Sequence, residues 1–149
     1  MSGPVAIRPG GAVEGKGMEI RSLAADPYRA GACNIGPAEI ARRRRAGLLG
    51  IAVAVALTAA LLALDAPQIL RVLVLPPLAS GIISLEQARR RFCVGFAMAG
   101  LQNFSALGHQ TRIEDAAARA QDRRAALVMV GQGTLVAAAI SAVFVLLPV

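Results

Sequence analysis

Three side chains in this sequence are soft enough to hold a transition metal or to carry redox chemistry: Cys33, Cys93 and His109. Such a site needs thiolates, which neighbouring positive charge favours, and the arginine runs Arg42 to Arg45 and Arg89 to Arg91 could supply it. It also needs a fourth ligand, and the sequence offers no evident one. Two cysteines are too few for a disulfide framework, and their separation is not the paired spacing of a zinc or iron-sulfur motif. The plainer expectation is two reduced thiols behaving as small hydrophobes and one solvated histidine, with no cofactor.

Other chemistry finds less support. The chain has no glycine-rich phosphate loop, nucleophile elbow, paired catalytic carboxylates or HExxH, so a stand-alone enzyme is not expected. A small oligomeric transporter would have to work around Arg71, because none of the nine carboxylates falls near the middle of an apolar run, where a cation or proton would be bound. Arg71 itself lies within a turn of a segment end, where its side chain is expected to reach outward to the interface. Gln132, Thr134 and Ser141 are neutral polar groups of the kind that bridge helices in lipid.

The elements that would position these groups are membrane helices. Residues are 56% hydrophobic with only 3% aromatic, which does not describe a soluble core. Of the 16 basic residues only Lys16 is lysine; this arginine bias, with the alanine and glycine load, points to a bacterial gene. The net charge of +7 sits at the edges of apolar runs without interleaved aromatics or a reading motif, so the expected partner is a membrane surface and not nucleic acid.

Residues 1–36 are rich in Gly and Pro and lack an apolar period, and are expected to form a disordered cytoplasmic tail. They contain no apolar signal-peptide core, so the first membrane helix is expected to act as the targeting signal. Pro37 suits a first helical position, and Glu39 follows in the first turn, where a carboxylate favours the helix dipole. From Ala46 to Leu64 the chain is uncharged, and 19 residues at about 1.5 Å each span a bilayer's hydrocarbon. Ile69 to Leu85 makes a second crossing, with a kink expected at Pro76-Pro77. The arginines preceding the first crossing and following the second put the N-terminus in the cytoplasm of a bacterial inner membrane.

Residues 92–107 are apolar but short, and broken by Gly95, Gly100, Gln102 and Asn103. A crossing there would leave Arg112, Arg119, Arg123 and Arg124 outside, so an interfacial or re-entrant segment is expected. Thr111 to Glu114 reads as a capping box opening a helix that projects roughly 20 Å into the cytoplasm, its first turns paired as Asp115 with Arg119 and Arg119 with Asp122. Ala125 to Leu147, 23 residues without charge, completes a third crossing and puts the C-terminus outside. Ala52, Ala56 and Ala60 on the first helix, and Gly133, Ala137 and Ser141 on the last, form small-xxx-small ridges that let backbones approach.

The blocks CNIGPAEIARRRRAG at 33–47 and QARRRFCVGFAMAGLQNF at 87–104 resemble the signature blocks of a group of small bacterial multi-pass membrane proteins without an assigned activity. The likeness extends over about residues 33–147. It implies two blocks flanking a pair of membrane helices, and draws attention to Cys33 and Cys93 without giving either a role.

The expected fold is therefore all-α, three transmembrane helices plus an interfacial segment, with a domain over 37–149. The expected function is that of an accessory, assembly or stabilising subunit of an inner-membrane complex. It would act by helix packing with a membrane-protein partner or a second copy, and by an arginine-rich face. A redox or metal-binding membrane protein and a small transporter are the alternatives.

Overall fold

Proline's fixed φ and missing N–H suit the first turn of a helix, and the structure opens its first long helix at such a residue: α1 runs Pro37–Ala63, with Gly36 as its N-cap. The computed structural model of the protein describes residues 28–147. After α1 come a 3-10 helix at Gln68–Val74, α2 at Leu75–Arg90, a short α3 at Val94–Ala99, strands β1 (Leu101–Gln102) and β2 (Thr111–Arg112), and α4 at Ala116–Leu146. The strands pair antiparallel, Leu101 with Arg112 and Gln102 with Thr111.

Three segments are long and apolar enough to cross a membrane: α1 with 27 residues, the continuous Gln68–Arg90 segment with 23, and α4 with 31. The second contains the proline pair, and the physics there differs from a mid-helix kink. Pro76 and Pro77 fall in the first turn of α2, where a missing N–H leaves no bond unmade, and the preceding residues wind as a 3-10 helix. A 3-10 helix rises about 2.0 Å per residue against about 1.5 Å, so the short apolar run Ile69 to Leu85 reaches roughly 28 Å despite its length.

α2 is the middle of the bundle. α1 packs along it on one side and α4 on the other, while α1 and α4 barely touch. The α1–α2 crossing is set by glycine: a Cβ on Gly50 would sit 2.8 Å from the Cα and N of Gly81, and one on Gly47 would sit 2.7 Å from Leu85 Cγ. Such approach brings backbone against backbone and maximises dispersion contact where no hydrophobic effect drives helices together. The packed face of α1 is thus Gly47, Gly50, Ala54 and Leu61, and the expected ridge of Ala52, Ala56 and Ala60 faces outward, exposed. On α4 the residues Gly133, Ala137 and Ser141 are buried, Gly133 lying directly against Ile83 of α2.

Residues 92–107 contain no helix long enough to span. Phe92 and Cys93 lead into the six-residue α3, Gly100 closes it in the left-handed region at φ +70°, and the hairpin returns the chain to α4. The capping box at Thr111 to Glu114 does not form. Thr111 and Arg112 are taken by β2, and Asp115 caps α4 instead, its carboxylate accepting the Ala117 N–H at 2.9 Å. Starting at Ala116, the charged part of α4 to Arg124 is only about 13 Å long. Its expected ion pairs are absent as well: Arg119 donates to the carbonyls of Ile113 and Glu114, and Asp122 turns inward. Of the tail expected over 1–36, residues 1–27 lie outside the described residues. Residues 28–36 belong to the folded unit, with Asn34 and Ile35 fully buried.

Candidate functional site

The arginine-rich ends of α1, α2 and α4 meet at one end of the bundle, and there the two conspicuous sequence blocks dock on each other. Leaving α2 through a left-handed Arg91, the chain offers the Arg91 carbonyl to the N–H groups of both Asn34 and Ile35. Asn34 then clasps the next peptide. Its Nδ2 donates to the Cys93 carbonyl at 3.1 Å, and its Oδ1 accepts the Cys93 N–H at 2.6 Å. Two further backbone bonds, Asn103 N–H to Asn34 O and Gly36 N–H to Asn103 O, tie the same segment to the chain after β1. A Cβ on Gly36 would meet the Phe104 backbone at 2.9 Å, so only glycine passes there. Buried peptide groups demand partners, and the N–H groups of residues 34–36 find theirs at Arg91 and Asn103, more than fifty positions away.

Cys93 is the hub of this junction. Fully buried, it caps α3 with its Sγ, which accepts the Phe96 N–H at 3.5 Å and Arg43 Nη2 at 2.9 Å. Arg43 thereby leaves the set of arginines expected at the lipid interface and turns inward, while Arg42, Arg44 and Arg45 are exposed. Gln87 completes the cap, its Oε1 accepting the Val94 N–H at 3.0 Å. Glu39 is also buried, with one oxygen 3.6 Å from Arg42 and the other unpaired.

A second clasp lies beside the first. Asp122 of α4 is wholly buried, and its carboxylate accepts the Tyr28 hydroxyl at 3.0 Å and the Gly31 N–H at 2.5 Å. Burial, and then the bond to the Asp122 carboxylate, push the Tyr28 hydroxyl up to about 12. Cys33 closes the turn that starts at Arg29. Burial pushes its thiol up, the Ile35 backbone N–H and the Arg29 charge opposing in smaller measure.

The three soft ligands are therefore not assembled. Both cysteines are buried and free, His109 is exposed on the loop between the strands, and among the described residues no three His, Cys, Asp or Glu side chains converge. Arg89 and Arg90 share the carboxylate of Glu86, Arg89 at 2.7 and 2.6 Å, and both remain exposed. Arg71 lies at the other end of the bundle and does not reach outward. It is buried, donating to the carbonyls of Leu147 at 2.8 Å and Phe144 at 3.4 Å beneath the Phe144 ring.

Sequence reasoning missed Tyr28, Asn34, Glu39, Gln87, Asn103 and Asp122 as structural polar residues. The signal open to it was an asparagine or glutamine inside an otherwise apolar block, as at Asn34 and Asn103. No known protein family matches the chain, and neither the curated proteins nor the solved structures provide a match.

Proposed function

We propose that the protein is an accessory or assembly subunit of a bacterial inner-membrane complex, with its arginine-rich end in the cytoplasm and the end of α4 outside. The observation that carries this reading is an open bundle. Away from the basic end, α1 and α4 flank α2 without closing on each other, leaving an apolar furrow of about 410 Å³ between Val55, Ala59 and Leu62 on one wall and Ile140, Ser141 and Phe144 on the other. Ser141 in this wall is buried, and its hydroxyl has no hydrogen-bond partner among the described residues. The furrow would receive side chains from one further transmembrane helix, of another membrane protein or a second copy, and Ala54 and Ala59 in its lining admit close approach. The interlocked basic end would hold the two walls at a fixed separation, as scaffolding requires, and the arginines at that end fit the negative inner leaflet.

The test is photo-cross-linking in cells from Ala59 and Ile140, inside the furrow, and from Leu135, on the opposite exposed surface. Adducts to one defined membrane protein or to a second copy, from the furrow positions only, are expected. Protein adducts no more frequent from the furrow than from Leu135 would refute the reading.

A further inference from the structure

At the basic end the seam between α2 and α4 opens into two neighbouring cavities, the outer one bordered also by Gly31 and Ala32 of the Asp122 clasp. The outer one, about 540 Å³, is lined by Arg90, Gln121 and Arg124 around a floor of Phe92, Val128 and Met129. The inner one, about 590 Å³, continues along the same seam toward Val136 between Leu85 and Gly133. Met129 borders both, so they neighbour each other along α4 and mark a path from a charged mouth to a largely apolar trough. From Arg124 to Val136 that path follows α4 for about 18 Å, the run of twelve residues at about 1.5 Å each. Each cavity falls within the roughly 300–1,000 Å³ of small-molecule sites.

The charges at the mouth are arranged for an anion. Glu86 lies between Arg89 and Arg90 and accepts from both, binding Arg90 through Nε and thereby orienting its guanidinium. Arg124 approaches from α4 and makes no hydrogen bond or ion pair among the described residues. Arg90 and Arg124 line the outer cavity and Glu86 and Arg89 the inner one, so one carboxylate among three guanidinium groups leaves this end of the seam positive. Arginine's planar fork matches phosphate oxygens, two at a time. Apart from Glu86 and Arg89, which also line it, the trough has the opposite character, with Leu85, Ile82 and Val136 as walls and Gln132 as a neutral polar group.

We infer that the α2–α4 seam binds an anionic glycerophospholipid, its phosphate held between Arg90 and Arg124 and one acyl chain laid along the trough. A soluble phosphate would satisfy the mouth and leave the apolar trough unfilled, and a neutral lipid would fill the trough and leave Arg124 without an anion and Arg90 sharing the one Glu86 carboxylate with Arg89. An anionic lipid satisfies both, which arginines scattered on a membrane-facing surface do not require.

Native mass spectrometry of the full chain in a neutral detergent tests the assignment, with phosphatidylglycerol, phosphatidylcholine and inorganic phosphate as probes. Phosphatidylglycerol is expected to bind in one-to-one stoichiometry and at least roughly tenfold more tightly than either other probe. The double variant Arg90→Gln/Arg124→Gln is expected to lose most of that binding. Arg45→Gln/Arg123→Gln, which removes the same charge from residues that line neither cavity, is expected to change it by less than about threefold. Val136→Phe, filling the trough from an exposed position, should weaken phosphatidylglycerol and leave inorganic phosphate unaffected. Equal losses in the two double variants would make the attraction a diffuse surface effect and overturn the site. Inorganic phosphate binding as tightly as the lipid would overturn the trough, and no preference over phosphatidylcholine would overturn the mouth. Circular dichroism of each variant identifies any loss that comes from unfolding.

Discussion

The two ends of this bundle are held by different physics. At the basic end, segments far apart in sequence are joined by directional bonds to buried peptide groups: Asn34 on Cys93, Asn103 on Asn34 and Gly36, Asp122 on Tyr28 and Gly31. Toward the other end, contact is mostly apolar, with Ala54, Leu61 and Val74 as its small core and Arg71 as its one conspicuous polar tie. The difference follows from solvent. A chain that leaves a helix must satisfy its exposed peptide groups, and the basic end is where three helix connections meet. Along the apolar spans the backbone is already satisfied within each helix, so only shape remains to hold neighbours, and shape is supplied by glycine.

If that contrast is right, the most damaging single substitution lies in the spans and adds only carbon. Gly50→Val is expected to cost about 3 kcal/mol, because its new atoms collide with the Gly81 backbone, which has no rotamer with which to yield. Unfolding in mixed detergent micelles measures it, and a loss below about 1 kcal/mol would show that α1 and α2 do not approach as closely as described. Next in size is Asn34→Leu, a near-isosteric change that leaves the Cys93 N–H buried and unbonded and its carbonyl with only the Ala97 N–H, expected to cost about 2 kcal/mol. It should also loosen only its own end, raising the labelling rate of both thiols while the α1–α2 crossing keeps its protection from hydrogen exchange. Equal loosening at both ends would erase the distinction between them.

What could be read from sequence divides along the same line. The spans were legible, because hydropathy, charge placement and length are properties of continuous segments, and the start of α1 at Pro37 and the end of α2 among arginines follow from them. The face of α1 that packs was not. Alanine is common on every side of that helix, and the choice of Gly47, Gly50 and Ala54 over Ala52, Ala56 and Ala60 depends on where Gly81 and Leu85 stand on another helix. The capping box at Thr111 failed for a similar reason, since the local motif competed with pairing to Leu101 and Gln102 and lost. The basic end was least legible of all. The partner of Asn34 lies 59 positions on, and nothing local to either block announces it.

Arg71 offers a smaller test, on the other end. Its guanidinium sits at the C-terminus of α4, where the last carbonyls lack partners within the helix and the dipole favours positive charge. Arg71→Met keeps the apolar stem and removes the charge. An expected loss of about 1 kcal/mol should be confined to the last turn, with faster amide exchange at Leu146 and Leu147 and unchanged exchange at Cys93 and Asn103. A variant that unfolded the basic end too would mean the two regions are one cooperative unit.

The finest probe is the titration of Tyr28, the sole tyrosine of the chain. Its folded value of about 12 stands above the usual value of 10.0, so folding favours the neutral phenol. The stability it contributes is complete below about pH 10 and is lost as pH rises through about 12. Tyrosinate absorbance in detergent should accordingly show a midpoint near 12 in the native chain. Asp122→Asn removes the carboxylate but keeps Tyr28 covered, and burial is the larger cause of the shift, so the midpoint should fall only part of the way toward 10.0. A native midpoint already at 10.0 would mean that residues 28–31 are not docked on α4, and the polar clasp at that end would reduce to the Asn34 junction alone.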